Sequence, residues 1–176
     1  MTFNLAAGAS ATYLQSGTEK YIGAATVTAD QPLVAIVNQV LPGAVSFGTA
    51  YEAFAADAAT SNINVPLVMS NNAGFYTGIQ VQNVSNADVD VTISYAANTV
   101  TGMADPANDT FTLTPGSSKT LIQNGAAGAT TGVNDWTARY IGSATITANG
   151  AIVAIVNEAN LSLGGDQFYT FDAFNY

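Results

Sequence analysis

The side chains that could do chemistry in this chain are carboxylates, amides and hydroxyls, because the sequence contains neither histidine nor cysteine. The commonest general base, the commonest transition-metal ligand and every disulfide are therefore excluded. The carboxylates are scattered, and no two have a spacing that indicates the acid–base pair of a glycosidase. The sequence predicts that the chain is not an enzyme and that it needs no organic cofactor.

Two acidic segments carry the oxygen ligands that calcium prefers. One holds Asp88 and Asp90 beside a predicted turn, and the other holds Asp105 and Asp109 in the run DPAND. Neither segment follows the EF-hand pattern, and solvated turns and strand faces are the alternative interpretation of both. Calcium is the one ion for which the sequence offers candidate ligands.

Two further features point to ligands or modification. The single Trp136 lies in a Gly/Ala/Thr/Asn-rich loop, where it would contact a sugar or a partner subunit if exposed, or close one end of the fold if buried. Three sequons would accept glycans if the chain is exported. Their asparagines are Asn83, Asn108 and Asn160.

The charge balance excludes several classes of partner. The net charge is −9 and only three residues are basic, so there is no Lys/Arg cluster for nucleic acid or for anionic lipid. No apolar run approaches the ~20 residues that a membrane-spanning helix needs. Only 9% of residues are charged, against about 25% in an average soluble domain. A surface so poor in charge favours burial against neighbouring subunits, and a secreted monomer with a Thr/Asn surface is the alternative.

The elements that must position these residues are organised by an internal repeat. Twelve of eighteen positions are identical between residues 21–38 (YIGAATVTADQPLVAIVN) and residues 140–157 (YIGSATITANGAIVAIVN). The similarity extends to a preceding strand–glycine turn–strand pattern and to an aromatic tail after each segment, so that residues 2–54 resemble residues 109–174. The second copy carries eleven extra residues before its tyrosine, in the loop of Trp136. A match of this length indicates a duplicated unit.

Residue patterns predict strands throughout the chain. Polar and apolar residues alternate with a period of two in both repeats and in residues 76–84 and 88–95, which occur once. Asn149-Gly150 between two apolar runs is typical of a β-hairpin turn. With Gly, Pro and Asn turns and no helical pattern, the sequence predicts an all-β fold, a β-sandwich or jelly roll with an internal duplication.

The repeat leaves the domain organisation open. Residues 63–176 can form a complete seven-stranded sandwich, whereas residues 1–62 supply four strands without the three that occur once. Either all eleven strands merge into one domain, or the first copy finds its missing strands on another molecule. Strand addition across an open edge is a known mode of assembly.

Several phrases of this sequence resemble a tandem β-sandwich repeat of secreted surface proteins of filamentous bacteria. They are IQVQN at residues 79–83, YIGSAT at residues 140–145 and VAIVN at residues 153–157. The resemblance covers residues 63–176 once and residues 2–54 as a partial copy. It implies a β-sandwich at the cell surface but no particular activity. The chain is also loosely similar to β-sandwich pilins that polymerise by donating a strand.

These observations lead to two hypotheses about function. The first is a structural subunit of an extracellular filament, sheath or surface layer, which binds copies of itself by strand pairing and apolar packing. The alternative is a carbohydrate-binding or adhesion module that uses Trp136. For the first hypothesis, the predicted polymerisation residues are apolar and lie near the two ends of the sequence: Phe3, Leu5, Phe171, Phe174 and Tyr176.

Overall fold

The computed structural model describes residues 2, 4–15, 17, 21–41, 47–125 and 132–176. These residues form strands, turns and irregular segments and contain no helix, which confirms the predicted all-β, sandwich-like fold. No helix among them is long and apolar enough to cross a membrane. The ten strands are β1 (Ile36–Leu41), β2 (Phe47–Glu52), β3 (Thr60–Ser70), β4 (Tyr76–Asn83), β5 (Val89–Tyr95), β6 (Asp109–Leu113), β7 (Ser118–Ile122), β8 (Tyr140–Ala159), β9 (Phe168–Asp172) and β10 (Phe174–Asn175).

The central strand is β8, which is 20 residues long and contains the second copy of the repeat. Its first half pairs antiparallel with β3 on one side and β5 on the other. Its second half pairs antiparallel with β4 and β9. The outer strands complete two layers, since β6 pairs with β5, β7 pairs with β4 and β10 pairs with β3. All strands from β3 to β10 are therefore held together through β8.

The core lies between these layers and follows the alternation of the strands. In β4, Ile79 and Val81 are fully buried while Gln80 and Gln82 lie on the other face. In the same way, alternate residues of β5 are buried, and so are Ile152, Ala154 and Val156 of β8. Each large aliphatic side chain buried in this way contributes roughly 1.5–3 kcal/mol. Burial of one face explains why the register is fixed, because a shift of one residue would expose it.

The predicted hairpin at Asn149-Gly150 is wrong, since β8 runs through both residues without a turn. Neither residue has the positive φ that a two-residue hairpin requires. Instead, Asn149 accepts a hydrogen bond from the Asp90 amide (2.9 Å). A side chain at Gly150 would meet Val89 at 2.6 Å. The pair therefore marks the place where β8 passes closely beside the start of β5 and moves from one layer to the other.

The bounds of the two units differ in detail from the sequence prediction. Strands β3 to β10 span residues 60–175 and number eight rather than seven, because the two strands predicted within residues 140–157 are one and the aromatic tail forms two. Strands β1 and β2 form a separate two-stranded sheet. This sheet lies beside β9, where the Gly48 amide donates to Asp166 Oδ2 at 3.1 Å.

Candidate functional site

The two copies of the repeat have the same local structure wherever a copy can form it alone. In β1–β2, Ile36 lies opposite Glu52, and in β8–β9 the equivalent Ile155 lies opposite Asp172. A backbone hydrogen bond just beyond the paired residues is also repeated. The Ala53 amide donates to the Ala35 carbonyl (3.0 Å), and in the same way the Ala173 amide donates to the Ala154 carbonyl (3.1 Å). The duplicated sequence therefore specifies a duplicated hairpin in the same register.

The glycine turn is repeated as well. Ala9 donates to the Ala6 carbonyl at 2.9 Å in the first copy, and Ser117 donates to the Thr114 carbonyl at 3.0 Å in the second. Gly8 and Gly116 have φ values of +75° and +72°, in the left-handed region that glycine adopts most readily. Short-range signals in the two copies thus produce the same turn.

The copies differ where a strand needs a partner from outside its own copy. In the second copy β6, β7, the first half of β8 and β10 all pair with β3, β4 or β5, which occur once in the chain. The structure describes residues 4–15 and 21–35 of the equivalent parts of the first copy, and these residues form no strands. The first copy is therefore a half-sandwich that has its own hairpin and lacks the three strands that complete the second copy.

As a result, the first copy exposes side chains that the second copy buries. Val34 is 98% exposed and its equivalent Val153 is 6% exposed, while Tyr21 is 75% exposed and its equivalent Tyr140 is 2% exposed. One contact ties the segment to the sandwich, since the Gln80 side chain donates to the Gly23 carbonyl at 2.8 Å. The other large exposed apolar residues of this segment and of β1 are Ile22, Val27, Leu33, Ile36 and Val40.

The hairpin β1–β2 leaves one edge of β1 available. The Ala35 carbonyl points to β2, and successive residues of a strand point their backbone groups in opposite directions. The amides and carbonyls of Val34, Ile36, Asn38 and Val40 therefore point away from β2. Within the part of the chain that the structure describes, β1 pairs with β2 alone. The equivalent edge of β8 is the one that pairs with β4.

The predicted polymerisation residues are distributed between surface and core. Phe3 lies outside the described residues, and Leu5 is 38% exposed. Phe171 is partly buried and packs against the core, whereas Phe174 and Tyr176 are 63% and 64% exposed. Phe174 lies in β10, which pairs with β3 alone among the described strands, and Tyr176 follows β10. The two terminal aromatic residues therefore remain available for contacts, and Phe171 belongs to its own sandwich.

Trp136 is not the exposed platform that a sugar-binding loop requires, because it is only 4% exposed. Its ring packs edge to face against Tyr95 (4.9 Å between centroids) and Tyr140 (5.7 Å). The Trp136 carbonyl accepts a hydrogen bond from the buried Ser70 hydroxyl at 2.7 Å. Trp136 is therefore buried, and its loop folds back to close one end of the sandwich.

The candidate calcium ligands are not brought together. Among the residues with described positions, no three carboxylates form a group that could hold a metal ion. Asp109 is buried, and its oxygens accept hydrogen bonds from the Tyr95 hydroxyl (2.9 Å) and the Val133 amide (2.5 Å). Asp90 accepts from Thr112 and Asp105 from the Asn98 amide, while Asp88 is an exposed turn residue. The carboxylate of Asp109 therefore anchors the Trp136 loop.

Two of the three sequon asparagines are structural. Asn83 and Asn160 are fully buried, and each side-chain oxygen accepts bonds from the amide and hydroxyl of the serine two residues later. Their side-chain nitrogens donate to main-chain carbonyls, so neither is accessible to a glycosyltransferase. Asn108 is exposed. The sequon pattern at residues 83 and 160 thus reflects a side-chain turn that follows a strand.

We expect Asn83→Ala and Asn160→Ala each to lower the free energy of unfolding by about 2 kcal/mol, because each leaves buried backbone groups without partners. The control Asn108→Ala should change it by less than about 0.5 kcal/mol. Urea unfolding followed by circular dichroism measures both. When the chain is secreted from a glycosylating host, glycopeptide mass spectrometry should find a glycan at Asn108 only. A glycan at Asn83 on folded protein would contradict this assignment.

Sequence reasoning missed one buried carboxylate, Glu158. It is 5% exposed at the floor of an apolar groove of about 400 Å³. Its Oε1 accepts a hydrogen bond from the Thr77 hydroxyl at 2.8 Å, and its Oε2 has no partner among the described residues. Burial raises the pKa of Glu158 to about 8, against a smaller lowering by the Thr77 bond. The alternation of the strand could have indicated this burial. Glu158 lies two residues after Val156 and continues the core-facing series of Ile152, Ala154 and Val156. The groove is lined by Leu67, Met69, Phe75, Tyr169 and Phe171.

Comparisons with known proteins bear on the fold. No protein-family profile matches the chain, and no curated protein is significantly similar to it. A solved structure that is similar is the crystal structure of Thermotoga maritima 1070, with a TM-score of 0.50 and 11% sequence identity, over 66% of this chain and 95% of that chain. The span from β3 to β10 is also about two thirds of the chain. At this identity the likeness shows the fold alone.

Proposed function

We propose that this chain is a structural, self-assembling subunit of an extracellular filament, sheath or surface layer. The subunits bind one another by strand pairing and apolar packing, and the protein acts at the cell surface without catalysis, cofactor, nucleic acid or membrane insertion. The observation that carries this proposal is the exposure, in residues 21–34, of a sequence that the same chain buries as its central strand. An exposed apolar segment of this kind favours association.

The rest of the surface supports the same proposal. Strands β6 and β7 each pair on one side only among the strands described, so each offers an edge to which a neighbour's strand can add. Monomeric β-proteins commonly protect such edges with lysine, and this chain has three basic residues in all. Phe174 and Tyr176 add exposed aromatic surface at the other end of the chain. A contact between two different surfaces propagates into a filament unless it closes into a ring.

The alternative, a carbohydrate-binding module, loses the residue on which it depended. Trp136 was the proposed stacking platform, and its indole lies between two tyrosines in the core. A sugar would need that ring face to be accessible. Self-assembly is therefore the function that the residues of this chain favour.

Self-assembly is tested by replacing exposed apolar residues of the first copy. We expect the unmodified chain to form regular filaments or sheets in negative-stain electron microscopy, with sedimentation that increases with concentration. The double variant Tyr21→Lys/Val27→Lys should remain monomeric, because two charges on the apolar segment repel a neighbour and must be desolvated. Both side chains are more than half exposed, at 75% and 67%, so folding should be unaffected.

A matched control adds the same two charges elsewhere. Thr101→Lys/Thr114→Lys places both lysines at exposed turn positions of the sandwich and should assemble as the unmodified chain does. A second variant, Phe174→Ser/Tyr176→Ser, tests the predicted contribution of the terminal aromatic residues. A monodisperse monomer at every concentration of the unmodified chain would overturn the proposed function.

A further inference from the structure

The stoichiometry of strands within one chain limits what can complete the first copy. Residues 1–176 contain two copies of the repeat, but their described part holds a single set of β3, β4 and β5, which the second copy occupies. If a neighbour's first copy took this set, the displaced second copy would be left incomplete. Exchange of β3, β4 and β5 among identical chains therefore never reduces the number of incomplete copies. Only strands from outside this sequence can complete the first copy without loss.

The second copy shows which strand the first copy would accept. On β8, residues Val153, Ile155, Asn157 and Ala159 pair with β4. Their equivalents in the first copy are Val34, Ile36, Asn38 and Val40, whose backbone groups point away from β2. Three of these four residues are identical to their equivalents, and the fourth is Val40 in place of Ala159.

The side chains of the first copy that are equivalent to the core-facing series of β8 are also suited to a β4-like strand. Leu33, Ala35 and Val37 replace Ile152, Ala154 and Val156, so the apolar face is conserved in size and shape. Gln39 replaces Glu158, whose side chain bonds to Thr77 of β4. A neutral amide can accept the same bond without burying a charge. The first copy therefore retains the residue types with which β8 holds β4.

We propose that the first copy is a docking site for another polypeptide that carries strands of the β3–β5 type. Its β4-like strand pairs antiparallel with residues 33–40, as β4 pairs with residues 152–159. Its β3-like and β5-like strands flank residues 21–29, as β3 and β5 flank the first half of β8. In the register of β8, the partner's equivalents of Gly78 and Gln80 lie opposite Asn38 and Ile36. The partner is an alternating strand with little charge, in which small or β-branched residues face the core.

This inference extends the proposed function, because it rests on strand pairing as the mode of assembly and adds control over it. Residues 21–34 are the segment that self-assembly uses in our proposal. A partner that takes these residues into a completed sandwich removes them from the surface. Such a polypeptide therefore ends or prevents growth of the assembly.

The test adds the missing strands to the full chain. Residues 60–108 are placed before Met1, which reproduces the order of elements found around the second copy. We expect the amides of Ile36, Asn38 and Val40, which exchange rapidly in the unmodified chain, to be protected from hydrogen exchange by at least tenfold. Because the apolar segment is now buried, the extended chain should not assemble. Amides that exchange as rapidly as before would overturn the inference.

A proline variant separates docking from a general effect of the added residues. Asn38→Pro removes an amide that points away from β2, so the original chain should keep β1–β2 and its stability. In the extended chain the same change removes a bond to the added β4 and should abolish the new protection. Equal protection with and without this proline would overturn the inference. In the extended chain with Ile79→Asp and Val81→Asp in the added segment only, the new sandwich should likewise not form.

A separate peptide covers the case in which the extended chain misfolds. The synthetic segment 60–95, added to the full chain, should protect the same three amides and shorten existing assemblies; absence of both effects would overturn the inference. If the unmodified chain never assembles, the proposed function fails, but the exchange measurement still decides this inference. If the three amides are already protected in assemblies of the unmodified chain alone, a second copy is the occupant and the inference is wrong.

Discussion

The unmodified chain is expected to lose stability between about pH 5 and pH 8, and replacing Glu158 by glutamine is expected to abolish that loss. The folded-state pKa of Glu158 is raised to about 8, against an ordinary value of 4.5. The folded protein therefore binds this proton more tightly than the unfolded chain does. The resulting stabilisation is fully present below the unfolded-state pKa and is lost as the pH rises through the folded-state pKa, by up to about 4 kcal/mol.

The geometry explains the size and direction of this effect. The Thr77 hydroxyl accepts a bond from the Met69 amide at 2.7 Å, so its proton is directed at Glu158 Oε1. Within the described part of the chain, that single bond is the only compensation for ionising a carboxylate beside Leu67, Phe75 and Phe171, because Oε2 has no partner there. Glutamine preserves the acceptor for Thr77 and carries no charge. The equivalent position of the first copy already holds a glutamine, Gln39.

The measurement is urea unfolding at several pH values for Glu158→Gln and the unmodified chain. The difference between their free energies of unfolding should grow in favour of the variant as the pH rises to about 8. Asp88→Asn makes the same change of charge at an exposed turn and should leave the pH dependence as it is. A variant whose stability varies with pH in parallel with the unmodified chain would show that Glu158 does not titrate in this range.

The sequence predicted those elements whose partners are close in the chain or whose pattern is strong. The alternation in residues 76–83 and 89–95 gave β4 and β5, and the repeat predicted that one arrangement would occur twice. The Asn149-Gly150 hairpin failed for a physical reason. A turn sequence does not form a turn when the flanking residues are stabilised more by continuing the strand. Here both halves of β8 pair with other strands on both sides. That stabilisation depends on strands distant in sequence.

The same distinction accounts for the two copies of the repeat. The β1–β2 hairpin and the turn at Gly8 need only neighbouring residues, and both form in the first copy as in the second. The strand equivalent to the first half of β8 needs β3 and β5, and in the first copy it is not a strand. Nearly identical sequences thus have different structures because the cost of ordering a strand is repaid only by its partners. The sequence of the repeat alone does not identify those partner strands.

Removing the indole of Trp136 is expected to have the other large effect, a loss of about 3–5 kcal/mol in the free energy of unfolding. The ring fills the space between Tyr95 and Tyr140 at one end of the sandwich, and both tyrosines would lose their edge-to-face contact. Burial, with Asp109 nearby, raises the pKa of the Tyr95 hydroxyl above its ordinary value, so this group remains a donor to Asp109. Trp136→Ala would thus weaken both the core and the anchor of the loop.

Unfolding of Trp136→Ala is followed by far-ultraviolet circular dichroism, since the variant has no tryptophan to report by fluorescence. Trp136→Phe should lose less than Trp136→Ala, because a smaller ring still contacts the two tyrosines. Val133→Ala is the matched control in the same loop, and at 67% exposure it should be nearly neutral. An alanine variant as stable as the unmodified chain would show that the indole lies outside the core. That outcome would restore the exposed platform on which carbohydrate binding depends, whereas a large loss of stability assigns Trp136 to the fold.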